Sequence, residues 1–158
     1  MLKHVLVPLD GSDLAARALD YAQAVVGPDG EITLLTAIDP PEYVAYSMYG
    51  AQAVPPQTVD PHPNPDYTSA TEEVARQSRA YLDSIAADLE RGGLRVHRHV
   101  AIGSPAELII EAAEEIGADA IVMSTHGRSG ISRWILGSIT NKVLSAAPCP
   151  VFVIPPKR

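Results

Sequence analysis

Cysteine, cationic charge and long apolar runs are all scarce in this sequence. Cys149 is the single cysteine, so no internal disulfide can form and a Cys-rich zinc site has no second thiol to build on. It lies between Pro148 and Pro150, just ahead of an apolar stretch, a setting that suits a small buried hydrophobe better than a nucleophile. Twelve Lys and Arg against 19 Asp and Glu leave a net charge of -7 and a pI near 5.1. Such a chain lacks the cationic field that nucleic acid or an anionic membrane surface requires. The opening Met1-Leu2-Lys3-His4-Val5 passes straight into a short apolar strand, too short for a signal-peptide core and far short of a membrane span. A reducing, cytoplasmic location is therefore expected. Two glycine fingerprints are missing as well: no GxGxxG follows the first strand and no GxxxxGK(S/T) occurs, which argues against a Rossmann dehydrogenase and a P-loop ATPase.

What is present suffices for one domain: 158 residues, 46% of them hydrophobic, can bury a core without disulfides or metal. Val5-Leu6-Val7-Pro8-Leu9 reads as a buried strand ending in Asp10-Gly11-Ser12. Leu14, Ala18, Tyr21, Ala22 and Val25 then recur at helical spacing until Gly27-Pro28-Asp29-Gly30 stops them. Glu31 to Ile38 is a second strand. From Asp39 to Tyr67 the chain holds seven of its 14 prolines and four of its six tyrosines. This stretch is expected to be an irregular insertion, either a binding loop or a disordered segment.

Ser69 to Arg91 is helical by pattern, with Val74, Tyr81, Leu82, Ile85 and Leu89 on one side and Gly92-Gly93 at its end. Arg95 to Val100 forms a third, more polar strand suited to a sheet edge. Ser104-Pro105-Ala106-Glu107 combines an N-cap serine, a proline at the first helical position and a capping-box glutamate, and Leu108, Ala112 and Ile116 continue that helix's buried side. Ala120 to Ser124 is a fourth strand, Ser138 to Ala146 a helix and Val151 to Ile154 a fifth strand. This alternation predicts an α/β fold: a five-stranded parallel sheet of order 3-2-1-4-5, helices on both faces, flavodoxin-like or Rossmann-like. The binding crevice of such a sheet lies outside the carboxyl ends of the first and fourth strands, where Asp10 and the segment after Ser124 meet.

That segment reads Ser124-Thr125-His126-Gly127-Arg128-Ser129-Gly130, and Gly137-Ser138-Ile139-Thr140 opens the next helix. Glycines admit close approach of a phosphate, and helix N-terminal amides with Ser or Thr hydroxyls donate to it. The same composition also makes an ordinary strand-to-helix loop capped by Ser138. Asp10 reads as a ligand contact or, alternatively, as an Asx turn or the cap of the first helix. His126 finds no serine, cysteine or second acid placed to build a triad and reads as a loop histidine lining the site. Arg128 is a candidate phosphate partner, whereas nothing supports Arg133. His97 and His99 alternate on one strand and share a face, but with no third ligand in view they read as a solvated edge pair. Tyr43, Tyr46 and Tyr49 sit three apart in the insertion, a spacing for stacking on one side of a helical turn or for mobile loop tyrosines.

The stretches VLVPLDGSD, GADAIVMSTHGRSGISRWILGSIT and APCPVFVIP resemble the universal stress protein family, and the resemblance spans the chain except the proline-rich insertion. ATP-binding members carry Gly-x2-Gly-x9-Gly-(Ser/Thr), which falls here on Ser124, Gly127, Gly137 and Ser138. Ser124 departs from the pattern and puts a Cβ where the family usually has none. The resemblance implies an adenine nucleotide, ATP or else AMP or ADP, with Mg²⁺ held by its phosphates. Pro8, Leu9, Asp10, Met123, Ser124, His126 and Arg128 would line the site, with Asp10 near the adenine and ribose and the Ala37 main chain facing the base. Gly127, Gly130, Gly137, Ser138, Ile139 and Thr140 would surround the phosphates. It implies further a homodimer paired through Val151–Ile154, and a regulatory, stress-response role without fast chemistry. The alternatives are a slow ATP hydrolase or phosphotransferase, and a dimeric interaction protein that no longer binds nucleotide.

Overall fold

The structure, a computed structural model, describes residues 1–39, 65–125 and 136–155. The elements run β1 (Leu2–Pro8), α1 (Asp13–Val25), β2 (Val26–Ile38), α2 (Pro65–Arg91), β3 (Arg95–Ile102), α3 (Pro105–Glu115), β4 (Ala120–Ser124), α4 (Ser138–Ala146) and β5 (Val151–Ile154). All strands are parallel and lie in the order β3-β2-β1-β4-β5, the order expected from the alternation of strands and helices.

Two apolar layers sandwich the sheet. Val5 and Val7 of β1, Ile32 and Leu34 of β2, Val96 and Val122 meet Ala15, Ala18, Leu19 and Ala22 of α1 and Leu82, Ala86 and Leu89 of α2. The alternate residues Leu6, Leu35, Ile121 and Met123 meet Ala106, Ile109, Ala112 and Ala113 of α3 and Val143 of α4. This is the period of two that a strand imposes on its side chains. Burying each of the larger side chains contributes about 1.5–3 kcal/mol.

The helices turn slightly differently from the apolar spacing. Tyr21 and Val74 are exposed, and their helices bury Ala15 with Leu19 and Ala75 with Ala86 instead. Alanines hold most of these positions, and their small side chains let the helix backbone lie close to the sheet. Ser104 is the N-cap of α3, but its side chain makes no capping bond. Glu107, the capping-box partner, reaches across to Lys142 on α4, Oε1 to Nζ 3.1 Å. β2 also begins earlier than Glu31. Leu2 pairs with Val26 and His4 with Glu31, so the turn-forming Gly27-Pro28-Asp29-Gly30 is taken up as an irregularity inside the β1/β2 pairing. Gly30 is tied to this arrangement, since a Cβ there would stand 2.5 Å from Val26 Cγ2. Cys149 is half-buried against the second layer, and burial raises its thiol pKa, as an inert thiol requires.

The amino end of β1 is held by Asp119, just before β4. Its Oδ2 accepts from the backbone N–H of Lys3 (2.6 Å) and of His4 (2.9 Å). The His4 amide first and the Lys3 amide second hold the Asp119 carboxyl below its ordinary value of 3.8. A carboxyl depressed in the folded state contributes stability that is present above its unfolded pKa and is lost as pH falls through the folded value. Urea unfolding midpoints followed from pH 7 downward are therefore expected to fall less steeply below about pH 4 in Asp119→Asn than in the parent. Equal acid slopes would show that the clamp carries no linkage.

Candidate functional site

β1 is the strand at which the connections change side, and this geometry opens a cleft at its carboxyl end. Leu9 N–H donates to Leu35 O (2.8 Å), and the Thr36 hydroxyl donates to Leu9 O (3.0 Å), so the exit from β1 is fastened to β2. Gly11 follows with φ +82°, a conformation that glycine adopts without the strain of a Cβ. Ser12 caps α1, its Oγ accepting from Ala15 N–H at 3.1 Å. Asp10 Oδ1 in turn accepts from the Ser12 N–H (3.0 Å) and hydroxyl (2.6 Å). The Asx-turn reading of Asp10 is thus realised, and the same residue lines the cleft.

The cleft is open to solvent at its mouth and has a cavity volume of about 120 Å³. Pro8, Leu9 and Asp10 from the end of β1, Ala37 from β2, Met123 and Ser124 from β4, and Ile139 and Thr140 from the first turn of α4 all line it. These residues, distant in sequence, were each expected at the site. Four further lining residues were not: Ala15, Leu35, Pro105 and Ile109. Pro105 and Ile109 bring α3 in as a wall. The Ser-Pro helix start was legible, but its place beside β1 arises only because the β3–α3–β4 crossover returns over the sheet. Most of the lining is apolar, and its polar side chains are Asp10, Ser124 and Thr140. Asp10 is the single charged one among the described lining residues.

Gly137 and Ser138 stand at the entrance of α4 and are not among the lining residues. Gly137 is the N-cap, no side chain caps the helix, and the Gly137 N–H donates to Thr125 O (3.1 Å). Ser138 is therefore the first helical residue and not the cap. The amides of the first turn retain the dipole and donor character of any helix start. The Thr140 hydroxyl, 2% exposed, donates to Thr125 O (3.0 Å) and more weakly to Ser124 O (3.4 Å), fastening α4 to the end of β4. His126, Gly127, Arg128, Gly130 and Arg133 lie outside the described residues, as do Tyr43, Tyr46 and Tyr49.

A parallel sheet wound from both faces, with an apolar cleft where its strand order reverses, defines a Rossmann-like α/β protein. The comparisons narrow the class. The pattern of the universal stress protein family matches residues 1–155. Universal stress protein MJ0577 of Methanocaldococcus jannaschii is 30% identical over 162 residues, covering 100% of this chain and 98% of its own. The solved structure of MJ0577 superposes with TM-score 0.80 at 26% identity, over 99% of this chain and 97% of that one. Two further structures share the fold at TM-score 0.62. One is a universal stress protein in complex with cAMP, 21% identical over 97% of this chain and 96% of that one. The other is a family protein of Arabidopsis thaliana with AMP bound, 16% identical over 96% and 90%. The chain belongs to the universal stress protein family.

Thr140→Val keeps the volume and removes the hydroxyl that holds Thr125. A loss of about 1–2 kcal/mol is expected, read as a lower urea midpoint at unchanged m-value. An unchanged midpoint would show that water replaces the hydroxyl at no cost.

Proposed function

We propose that this protein binds an adenine nucleotide, ATP foremost, in the cleft at the carboxyl ends of β1 and β4 and serves as a regulatory, stress-response module. The observation that carries the reading is the cleft itself, where six elements converge on an apolar slot with a few polar groups at its rim. A purine ring suits the walls formed by Leu9, Leu35, Ile109 and Met123, and Asp10 is the acceptor offered to a ribose hydroxyl or an exocyclic amine. The phosphates would turn toward the start of α4, where the Ser138 and Ile139 amides and the helix dipole favour an anion. The described lining supplies no cation, so in this reading Mg²⁺ travels with the phosphates, and Gly127, Arg128, Gly130 and His126 complete the enclosure. Support also comes from the relatives solved with AMP and with cAMP. No residue is assigned a catalytic role, and the location is cytoplasmic.

β5 is the basis for a homodimer in the same proposal. It is an edge strand, Phe152 is 43% exposed on it, and such an edge favours pairing with a second copy. Phe152→Glu is expected to convert a dimer into a monomer in sedimentation equilibrium; a monomeric parent would end that part of the proposal.

Calorimetric titration of the full chain with ATP, with and without Mg²⁺, tests the nucleotide reading. One site per chain is expected, with Gly137→Val weakening it by about tenfold or more, equivalent to ~1.4 kcal/mol, because a branched side chain obstructs the phosphates. Ser124→Gly is expected to tighten binding. Parent-like affinity in Gly137→Val would overturn the phosphate placement, and absence of saturable binding in the parent would overturn the function.

A further inference from the structure

At the other end of the sheet, three side chains with metal-binding donors converge from three neighbouring strands. His4 on β1 is opposite Glu31 on β2, and His97 on β3 is opposite Thr33, two residues further along β2. Val5, Ile32 and Val96 belong to the layer under α1 and α2. Strand alternation therefore puts His4, Glu31, Thr33 and His97 together on the opposite face. Asp10 is six positions beyond His4, about 20 Å at strand rise, so this cluster is remote from the nucleotide cleft.

One donor atom from each of His4, Glu31 and His97 lies within 4.8 Å of the other two. His97 Nε2 is 2.7 Å from Glu31 Oε2, and the two imidazole centroids are 5.7 Å apart. A tetrahedral zinc ion, with Zn–N and Zn–O near 2.0–2.2 Å, sets its ligand atoms ~3.3 Å apart. The strand register already fixes the three Cα positions, so closing the remaining gap falls to the side chains. The set is mixed, two imidazoles and one carboxylate. That donor chemistry suits zinc-class transition metals and not Mg²⁺ or Ca²⁺, which take oxygen.

One His4 nitrogen and one Glu31 oxygen are also held by neighbours outside the triad. His4 Nε2 is 2.8 Å from the Thr33 hydroxyl. Arg95 Nη1 lies 3.1 Å from Glu31 Oε1, leaving Oε2 as the oxygen on the His97 side. The Arg95 side chain is itself anchored by donating to Asp29 O at 2.7 Å. Hydrogen bonds of this kind orient ligands and set their tautomers. The Glu31 and His97 side chains are 29% and 56% exposed, so an ion has an entry path and a position open to solvent.

We propose that His4, Glu31 and His97 form a site for one divalent transition-metal ion of the zinc class, on the sheet face at the amino ends of β1, β2 and β3. His97 then acts with residues of two other strands and not with His99, its neighbour on the same face. The ion adds a further tie across three strands already joined by the backbone ladder and by side-chain contacts such as Arg95 with Glu31, and binding to the folded chain alone raises its thermal stability.

Titration of the full chain with Zn²⁺ in the absence of nucleotide tests the site, with Co²⁺ as a spectroscopic probe. One equivalent per chain is expected, with ligand-field absorption from Co²⁺, a metal-dependent rise in Tm and no competition from Mg²⁺. His97→Gln alters an exposed group and Glu31→Gln a half-buried one, and each is expected to weaken Zn²⁺ by about tenfold or more, while His99→Gln binds as the parent does. His4→Gln is expected to behave like His97→Gln; should it fail to fold, the other two variants decide. No saturable Zn²⁺ binding by the parent, parent-like affinity in His97→Gln, or an equal loss in His99→Gln would overturn the site.

Discussion

The placement of β1 at the middle of the sheet is the constraint on which the rest of the molecule depends. It pairs with β2 on one side and with β4 on the other, and Val5, Leu6 and Val7 are fully buried between the two helical layers. A stretch covered on both faces cannot alternate apolar with polar, which is why the middle of β1, Val5 to Val7, is an unbroken apolar run. Because crossovers between parallel strands are right-handed, winding outward from β1 in both directions sends α1 and α2 to one face and α3 and α4 to the other. The backbone at the end of β1 is left with helices diverging on either side, and the cleft is the space between them.

This arrangement accounts for the character of the site. Its walls are core side chains at the ends of their strands, Leu35 and Met123 among them, so it is apolar by construction. Its polar groups occur where the chain leaves the sheet: Asp10 in its Asx turn, Ser124 at the end of β4 and Thr140 in the first turn of α4. Asp10 and Thr140 also hold the loops they belong to, and site geometry and local stability are not separable there. The His4, Glu31 and His97 cluster follows from the same winding. α3 and α4 cover the far face near β1 and β4, while the outer strand β3 keeps polar residues on that face, and the parallel register sets them beside His4 and Glu31.

Much of this was legible beforehand, and the reasons differ by element. β4, α4 and β5 were bounded to the residue, because an apolar run, a glycine at the helix entrance and flanking prolines punctuate the chain there without ambiguity. The faces of α1 and α2 were less legible: Tyr21 and Val74 satisfy helical spacing as well as Ala15 and Ala75 do, and hydrophobicity alone favours the larger residue. Ser104 and Glu107 have the composition of a capping box, yet Lys142, distant in sequence, competes for the glutamate. Of the site, the ends of β1 and β4 and the start of α4 were readable from the crevice rule and the family resemblance, whereas Pro105 and Ile109 were not, since nothing local marks a helix as a wall.

By itself the sequence determined the alternation of strands and helices, the parallel sheet that this alternation requires, and the residue types where the chain leaves β1 and β4. These follow from periodicity and turn chemistry, which act over a few residues. Only the tertiary structure decided which side chains meet: α3 beside the cleft, Glu107 with Lys142, and His97 with His4 and Glu31 in preference to its strand neighbour His99. Such contacts depend on strand register and crossover handedness, which join residues many positions apart and leave no mark in the local pattern.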